Sequence, residues 1–176
     1  MVRFFVLFLV LLAVLFALEL TPWAQAYVVV PWTNALAAIS TFIVTIFDPN
    51  VIASGKVIRS ATNGFAVSIE AGCNGVEATI VLVAAMLAFP APWRYRLWGL
   101  ALGFVAVQGL NVIRVISLFY IGQWSYAAFE WAHLYVWQAL IMLDVLVVWL
   151  LWVRRVPRPD SDAGSPPTAP TALVPG

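Results

Sequence analysis

The stretch Leu97–Gly122, LWGLALGFVAVQGLNVIRVISLFYIG, decides the fold class of this chain. It is long enough to cross a hydrocarbon core of about 30 Å, which needs roughly 20 residues. Its only charged residue is Arg114. Because an ionisable side chain inside a membrane is costly to bury, such a residue is usually functional. The stretch therefore predicts a transmembrane helix that carries a functional arginine.

The composition of the whole chain agrees with a membrane location. Of its 176 residues, 64% are hydrophobic and only 10% are charged, whereas soluble domains carry about 25% charged residues. The net charge of +1 argues against a nucleic-acid partner, which needs a concentrated basic face. We expect one membrane-embedded domain over residues 1–156. Residues 157–176, rich in Pro, Ala, Ser and Thr, are expected to form a disordered cytoplasmic tail.

Three further apolar runs are long enough to span a bilayer, namely Phe4–Leu20, Cys73–Phe89 and about Tyr126–Val153. Arginines flank these runs, and the positive-inside rule places such residues in the cytoplasm. The pattern predicts an all-α, polytopic protein of a bacterial inner membrane, either with four transmembrane helices and both termini inside or with five and the N-terminus outside. The flanking arginines are Arg3, Arg94, Arg96, Arg154 and Arg155.

Segment 27–47 leaves the number of spans open. On a helical wheel its polar and small residues fall on one stripe and its bulky apolar residues on another, which predicts an amphipathic helix at the outer interface or packed on the bundle. The alternative is a fifth span with the N-terminus outside. A second alternative concerns Ala24-Gln25-Ala26, which resembles a signal-peptidase site, although we expect the first apolar run to be an uncleaved anchor.

A small extracytoplasmic β-hairpin is expected before the apolar run Cys73–Phe89. Val51–Ser60 and Phe65–Glu70 alternate loosely between apolar and polar residues. Between them lies Asn63-Gly64, and an Asn-Gly pair in this position is a strong hairpin signal. The second strand of this hairpin leads directly toward Cys73.

Cys73 is the only cysteine in the chain. A single thiol cannot form an internal disulfide and supplies too few ligands for a structural metal site. Cys73 is therefore a small buried side chain, an unused thiol or a nucleophile. The only histidine, His133, and Arg114 also lie in apolar runs, and this combination favours the nucleophile.

Counting along the helices places these three residues at one height. Cys73 lies 17 residues before Pro90, Arg114 lies 17 after Leu97, and His133 lies 18 before Leu151. At 1.5 Å per residue, each stands roughly 26 Å above the cytoplasmic boundary. We therefore expect the three side chains to meet near the outer face of the membrane.

The chemistry of the three residue types suits a nucleophilic reaction. A thiolate is the attacking species, and its pKa falls at a helix N-terminus or near a cation. His133 can take the proton of Cys73 and return it to a leaving amine. Arg114 can stabilise a thiolate, an oxyanion or a substrate carboxylate.

Two glutamates are candidates to neutralise the buried arginine. Glu77 follows Cys73 by four residues on the same helical face, and Glu130 precedes His133 by three. Because an unpaired buried guanidinium is costly, we expect one of these carboxylates within about 4 Å of Arg114.

Two asparagines complete the candidate supporting residues. Asn111 precedes Arg114 by three residues and shares its helical face. Asn74 and Gly75 allow a tight backbone turn with exposed N–H groups next to Cys73.

The spacing of these residues carries a family resemblance. The pattern is Glu70-x-x-Cys73-x-Gly75, followed by Asn111-x-x-Arg114 and then His133. It resembles the exosortase/archaeosortase family, and the resemblance covers about residues 27–153. The segments EAGCNGVE and FEWAH look like the short exosortase H branch, in which Glu70 belongs to the motif around the cysteine.

The resemblance implies a membrane cysteine transpeptidase that cuts the C-terminal sorting tags of exported proteins, with Cys73, Arg114 and His133 as its triad. It implies partners whose tag begins with Ile-Pro-Thr-Leu and continues into an apolar helix and a basic end. Membrane lipids are further partners, the active site faces the outside, and no metal or organic cofactor is indicated. The residues themselves leave two alternatives open: a non-catalytic membrane assembly or scaffold subunit, and a Cys73-dependent acyl transferase.

Overall fold

A computed structural model describes residues 2–157 of the chain. The predicted tail at 157–176 lies outside these residues, except for Pro157. The described part has five helices and one small sheet, and four helices are long and apolar enough to cross a membrane. This confirms the all-α polytopic fold class. The helices are α1 Val2–Glu19, α2 Pro22–Thr45, α3 Val76–Ala88, α4 Trp93–Trp124 and α5 Tyr126–Val153.

The flanking arginines lie at one end of the helix bundle, which we call the arginine end (Arg3, Arg94, Arg96, Arg154 and Arg155). Arg3 at the start of α1 lines the same pocket as Pro90, in the turn between α3 and α4, and Arg96, in the first turn of α4. Near the end of α5, the Trp152 indole N–H donates to the Tyr95 carbonyl at 2.9 Å. Helices α1 and α4 therefore begin at the arginine end, whereas α3 and α5 finish there.

Prolines and an arginine shape the turn between α3 and α4. Helix α3 ends at Ala88, and α4 begins directly after Pro92, whose fixed φ suits a helix start. The Arg96 guanidinium donates to the Phe89 carbonyl at 2.9 Å. A basic side chain that binds a free carbonyl at a helix C-terminus stabilises that terminus.

Helix α3 is shorter than the predicted span Cys73–Phe89. It has 13 residues, about 20 Å at 1.5 Å per residue, and it contacts α1, α4 and α5. Cys73 lies in the loop before the helix, not within it. The reason is local, because Gly72 and Gly75 have φ of 81° and 73°, a region that right-handed helices do not visit.

Helix α2, Pro22–Thr45, begins five residues before the expected helix at 27–47 and ends two residues before it. Its Trp32 ring packs on Phe104, and Phe47 beyond its end packs on Tyr120, with centroid distances of 5.2 and 6.5 Å. Helix α2 therefore runs in the same direction as α4, away from the arginine end. Although it is long and apolar enough to cross a membrane, it does not return the chain to the end where Arg3 lies.

The residue types on the two faces of α2 are distributed as in a membrane helix. Thr33, Ala37, Ser40 and Thr41 are buried, whereas bulky residues such as Phe42 face outward, Phe42 being 72% exposed. Small and hydroxyl residues are enriched where membrane helices pack closely, and apolar side chains face the lipid. The amphipathic pattern found in the sequence is thus real, and its polar stripe points toward the protein.

The sheet contains one strand more than the predicted hairpin. Strands β1 Val51–Ser54, β2 Val57–Ser60 and β3 Ala66–Ser68 are antiparallel in the order β1-β2-β3. The expected turn at Asn63-Gly64 joins β2 to β3. However, the stretch predicted as one strand, 51–60, folds back at Gly55, whose φ of 58° suits a two-residue hairpin turn.

The sheet lies at the end of the bundle opposite the arginines. Its buried residues Val51, Ile58 and Ile69 form one core with Leu36 of α2 and with Val115 and Phe119 of α4. Helix α4 has 32 residues and is about 48 Å long, so it extends beyond a hydrocarbon core of about 30 Å. A second core near the arginine end joins α3, α4 and α5 through Leu82, Met86, Val107 and Val145.

Candidate active site

The loop between β3 and α3, residues 69–75, carries the candidate nucleophile. The Cys73 N–H donates to the Glu70 carbonyl at 2.9 Å, and the Gly72 N–H donates to the Glu77 carboxylate at 2.6 Å. These two bonds close a tight turn that the positive φ of Gly72 makes possible. Cys73 is therefore held by its own loop and by the first turn of α3.

Cys73, His133 and Arg114 meet in the structure. The Cys73 Sγ lies 2.9 Å from the His133 Nε2, and the Arg114 Nη2 donates to the same sulfur at 3.4 Å. The three side chains meet, as the common height predicted, although Cys73 comes from a loop rather than from a helix, while His133 comes from α5 and Arg114 from α4. His133 lies in the π-helical turn Ala132–Val136, a distortion often found at functional sites. Its ring stacks on Phe129 with a centroid distance of 5.6 Å.

The protonation of Cys73 differs from the expectation that its pKa is lowered. Burial raises the pKa of the Cys73 thiol above its ordinary value, since burial disfavours the charged form. The Arg114 charge lowers this pKa, while Glu77 and Glu70 raise it, and the raising effects prevail. The raised pKa favours the neutral thiol, and the His133 Nε2 lies within reach of its proton.

The predicted carboxylate partner of Arg114 is not present, and that prediction was wrong. Within residues 2–157 the one ion pair joins Lys56 to Glu70 at 2.5 Å. Arg114 is 2% exposed, and it donates to the Gly72 carbonyl at 3.3 Å and to the Cys73 sulfur. A backbone carbonyl and a polarisable sulfur thus replace the expected carboxylate, which keeps the guanidinium charge directed at the thiol.

The predicted supporting glutamates occupy three different environments. Glu77 binds the Gly72 N–H and so holds the loop. Glu70 is exposed, accepts from Lys56 and from the Ser68 hydroxyl at 2.7 Å, and lines the pocket at the thiol. The pKa of Glu70 is lowered, first because of its hydrogen bond with Lys56. Glu130 is exposed on α5 and does not line this pocket.

Asn74 fixes the loop to helix α2. Its side chain is 1% exposed, donates to the Thr33 hydroxyl at 3.1 Å and accepts from the Val76 N–H at 3.0 Å. The Trp32 indole N–H donates to the Asn74 carbonyl at 3.2 Å. Asn74 thus acts as a connector between α2 and the start of α3.

The polar face of α4 supports the loop from the other side. The Gln108 amide donates to the Gly75 carbonyl and to the Thr79 hydroxyl, both at 3.1 Å. Asn111 is fully buried, and its amide nitrogen would lie 3.0 Å from a Cβ added at Gly75. Gln108 and Asn111 therefore form, with Arg114, a polar stripe on which the loop rests.

Sequence reasoning did not identify several of these supporting residues. Gln108 precedes Asn111 by three residues inside an apolar run, and this spacing could have extended the polar stripe by one turn. Phe129 and Ser68 could not be found in this way, because their proximity to Cys73 depends on the tertiary fold. Thr33 and Trp32 could not be found either, because the sequence left the path of α2 open.

A small pocket of about 80 Å³ opens at the Cys73 sulfur. Strand β3 and the loop form one side of it, and α4 and α5 form the other. The volume accommodates one small side chain, since a water molecule in the liquid occupies about 30 Å³. Its lining includes Val67, Ser68, Cys73, Arg114, Phe129 and His133.

Comparison with known proteins gives the family of the chain. The family described as transmembrane exosortase (Exosortase_EpsH) matches residues 2–153. No curated protein and no solved structure matches the chain significantly. The match covers all five helices, the sheet and the loop with Cys73. The family that the motifs predicted is confirmed: the chain is a multi-pass membrane protein and belongs to the transmembrane exosortase family.

Proposed function

We propose that the chain is a membrane cysteine transpeptidase that cleaves exported proteins at their C-terminal sorting tags and transfers the cleaved proteins to an acceptor. The observation that carries the proposal is the 2.9 Å distance between the Cys73 Sγ and the His133 Nε2, with the Arg114 Nη2 at 3.4 Å from the sulfur. Membership of the exosortase family supports the same chemistry. A nucleophile in hydrogen-bond contact with its base is the arrangement that acyl transfer requires.

The reaction proceeds by two acyl transfers. The Cys73 sulfur attacks the scissile carbonyl carbon while His133 takes the thiol proton, and His133 then gives this proton to the leaving amine. The tag's tail departs with a free amine, and the exported protein stays on Cys73 as a thioester. An acceptor amine next attacks the thioester carbonyl, transfers its proton through His133 to the sulfur and restores the thiol.

Arg114 has an electrostatic role in this scheme. Its guanidinium is buried and permanently charged, so it stabilises negative charge on the sulfur before the attack and when the thioester breaks. Because no carboxylate neutralises it within the described part of the chain, its charge is available to the reacting atoms. The Gly72 carbonyl orients it.

The proposal includes the location of the reaction and the nature of the partners. With the arginine end in the cytoplasm, the site lies on the outer side of the inner membrane. The partner is an exported protein with a tag of the Ile-Pro-Thr-Leu type, an apolar helix and a basic end. Enzyme and partner then share one bilayer, so the tag reaches Cys73 by diffusion in two dimensions.

A tagged reporter tests the function. An exported reporter protein carrying such a tag, apolar helix and basic end is co-expressed with the enzyme, and its size is followed by immunoblot. We expect cleavage with the wild-type enzyme and at least about a hundred-fold slower cleavage with Cys73→Ala, since nucleophile and base act as a unit. Ser54→Ala, on the opposite edge strand of the sheet and outside the lining of the pocket, serves as the matched control and keeps full activity.

The same experiment separates the proposal from its rivals. Cleavage that persists in Cys73→Ala would contradict a cysteine mechanism and favour a scaffold role. Transfer of a labelled acyl chain to Cys73 without cleavage of the reporter would instead indicate an acyl transferase. Membrane levels of each variant, measured on the same blots, exclude loss of the protein as the cause.

A further inference from the structure

Strand β3 is an edge strand beside the reactive sulfur. The sheet order β1-β2-β3 leaves one side of β3 without a neighbouring strand. Val67 and Ser68 of this strand line the same pocket as Cys73 and His133. An unpaired strand edge presents a row of main-chain donors and acceptors that can pair with another extended chain.

The hydrogen-bond register shows which main-chain groups of β3 are free. Phe65 and Ile69 bond to β2, since the Ser60 N–H donates to the Phe65 carbonyl at 2.9 Å and the Ile69 N–H donates to the Lys56 carbonyl at 3.0 Å. Bonded residues alternate along an antiparallel pair. Ala66 and Ser68, both exposed, therefore direct their N–H and C=O groups to the free edge.

The pocket at Cys73 is too small to bind a peptide without help. Its volume of about 80 Å³ accommodates one small side chain, but a tag must also be held by its main chain to place a carbonyl at the sulfur. Lipid chains offer no donors or acceptors for the groups of Ala66 and Ser68, whereas an extended peptide offers both at matching spacing.

We propose that the substrate peptide binds as an added strand along the free edge of β3, with its main chain paired to Ala66 and Ser68 and one side chain in the pocket at Cys73. This inference rests on the proposed function and adds the mode of substrate recognition. Pairing through the main chain fixes the peptide in an extended form. The neighbouring pocket then selects one side chain and positions the adjoining carbonyl.

Two proline substitutions on opposite edges of the sheet test the proposal. Ala66→Pro removes an N–H that points to the free edge of β3, and it leaves the bonds to β2 in place. Ala53→Pro is the matched control, because Ala53 is also exposed and lies on the other edge strand, with its N–H directed away from β2. Both variants are compared on the tagged reporter described above.

We expect Ala66→Pro to slow cleavage about ten-fold or more, the loss that one or two missing hydrogen bonds produce, while Ala53→Pro stays within about two-fold of the wild type. Ser68→Pro should behave like Ala66→Pro. Labelling of Cys73 by a small maleimide should be unchanged in all three variants, which shows that the site itself is intact.

Other results would overturn the inference. Equal cleavage by Ala66→Pro and Ala53→Pro would show that the edge does not bind the substrate. A wild type that is a dimer in detergent and an Ala66→Pro variant that is a monomer with unchanged cleavage would make the edge a contact between two copies of the chain. Cleavage that survives in Cys73→Ala would refute the proposed function, yet the comparison of the two edges would still decide this inference.

Discussion

At the level of single residues, helix geometry explains why three distant positions could be brought together from sequence. Cys73, Arg114 and His133 were placed at one height by counting residues, and the structure brings them into contact. The partner of Arg114 could not be found by counting. It depends on the path of the loop at 69–75, which two left-handed glycines determine, and a helical wheel contains no information about such a loop.

The raised pKa of the Cys73 thiol leads to a prediction about pH. Because burial raises the pKa of Cys73, iodoacetamide should label the purified protein slowly at neutral pH and faster as the pH rises, with a midpoint above about 8.5, the ordinary value for cysteine. Arg114→Gln should move the midpoint upward, since Arg114 lowers this pKa. Glu77→Gln should move it downward, because Glu77 raises it, and the amide oxygen can still accept from Gly72.

The rate of labelling against pH, measured by mass spectrometry, checks both shifts. A wild-type midpoint well below the ordinary value would show a thiolate paired with a protonated His133 and would contradict a neutral resting thiol. Shifts of the two variants in the same direction would contradict the assigned electrostatic effects.

At the level of elements, turns were harder to predict than helices. The Asn63-Gly64 turn was found because its pair of residues is a strong signal, whereas Gly55-Lys56 is not, so residues 51–60 looked like one strand. Helices α1, α4 and α5 were recognised from the length of their apolar runs, whereas α2 was left open. Helix α3 was overestimated because its apolar run includes Cys73, where the backbone turns at Gly72 and Gly75 and helical hydrogen bonding cannot continue.

The close approach of α4 to the loop gives a prediction at Gly75. A Cβ added there would lie 2.9 Å from both side-chain amide atoms of Gln108, so Gly75→Ala must displace either the Gln108 amide that holds the loop or the loop that carries Cys73. We expect at least about a ten-fold loss of reporter cleavage and a loss of about 1–3 kcal/mol in stability from overpacking. Cleavage and thermal unfolding in detergent are the measurements.

Gly64→Ala is the matched control for this experiment. Gly64 has the same φ of 73° but no atom within 4 Å of an added Cβ. It therefore shows the cost of the backbone conformation without the clash. If the two variants lose cleavage equally, strain in the backbone rather than contact with Gln108 is responsible.

At the level of the whole molecule, the distribution of arginines was predicted well. The structure places Arg3, Arg96 and Arg155 at one end, as the positive-inside rule suggested, and Cys73 lies toward the other. The path of α2 was the open question. Its sequence permits a crossing, and only its contacts with α4 show that it continues in the direction of α1.

This arrangement predicts which thiols can be reached from outside the cell. A membrane-impermeant maleimide applied to intact spheroplasts should label the wild type through Cys73, and it should not label Cys73→Ser. In the Cys73→Ser background, Arg155→Cys should be labelled only after the membrane is permeabilised. Labelling of Arg155→Cys in intact spheroplasts would reverse the orientation and, with it, the side on which the reaction occurs.

The length of α4 has a consequence for the choice of membrane. Arg114 lies 21 residues beyond Trp93, about 32 Å along the helix, which is close to the thickness of the hydrocarbon core itself. The height of the thiol relative to the lipid surface is therefore set by hydrophobic mismatch. Longer acyl chains would place Cys73, Arg114 and His133 within the hydrocarbon core, and shorter ones would leave them in water. We therefore expect the fatty-acid composition of the host membrane to change the accessibility of Cys73.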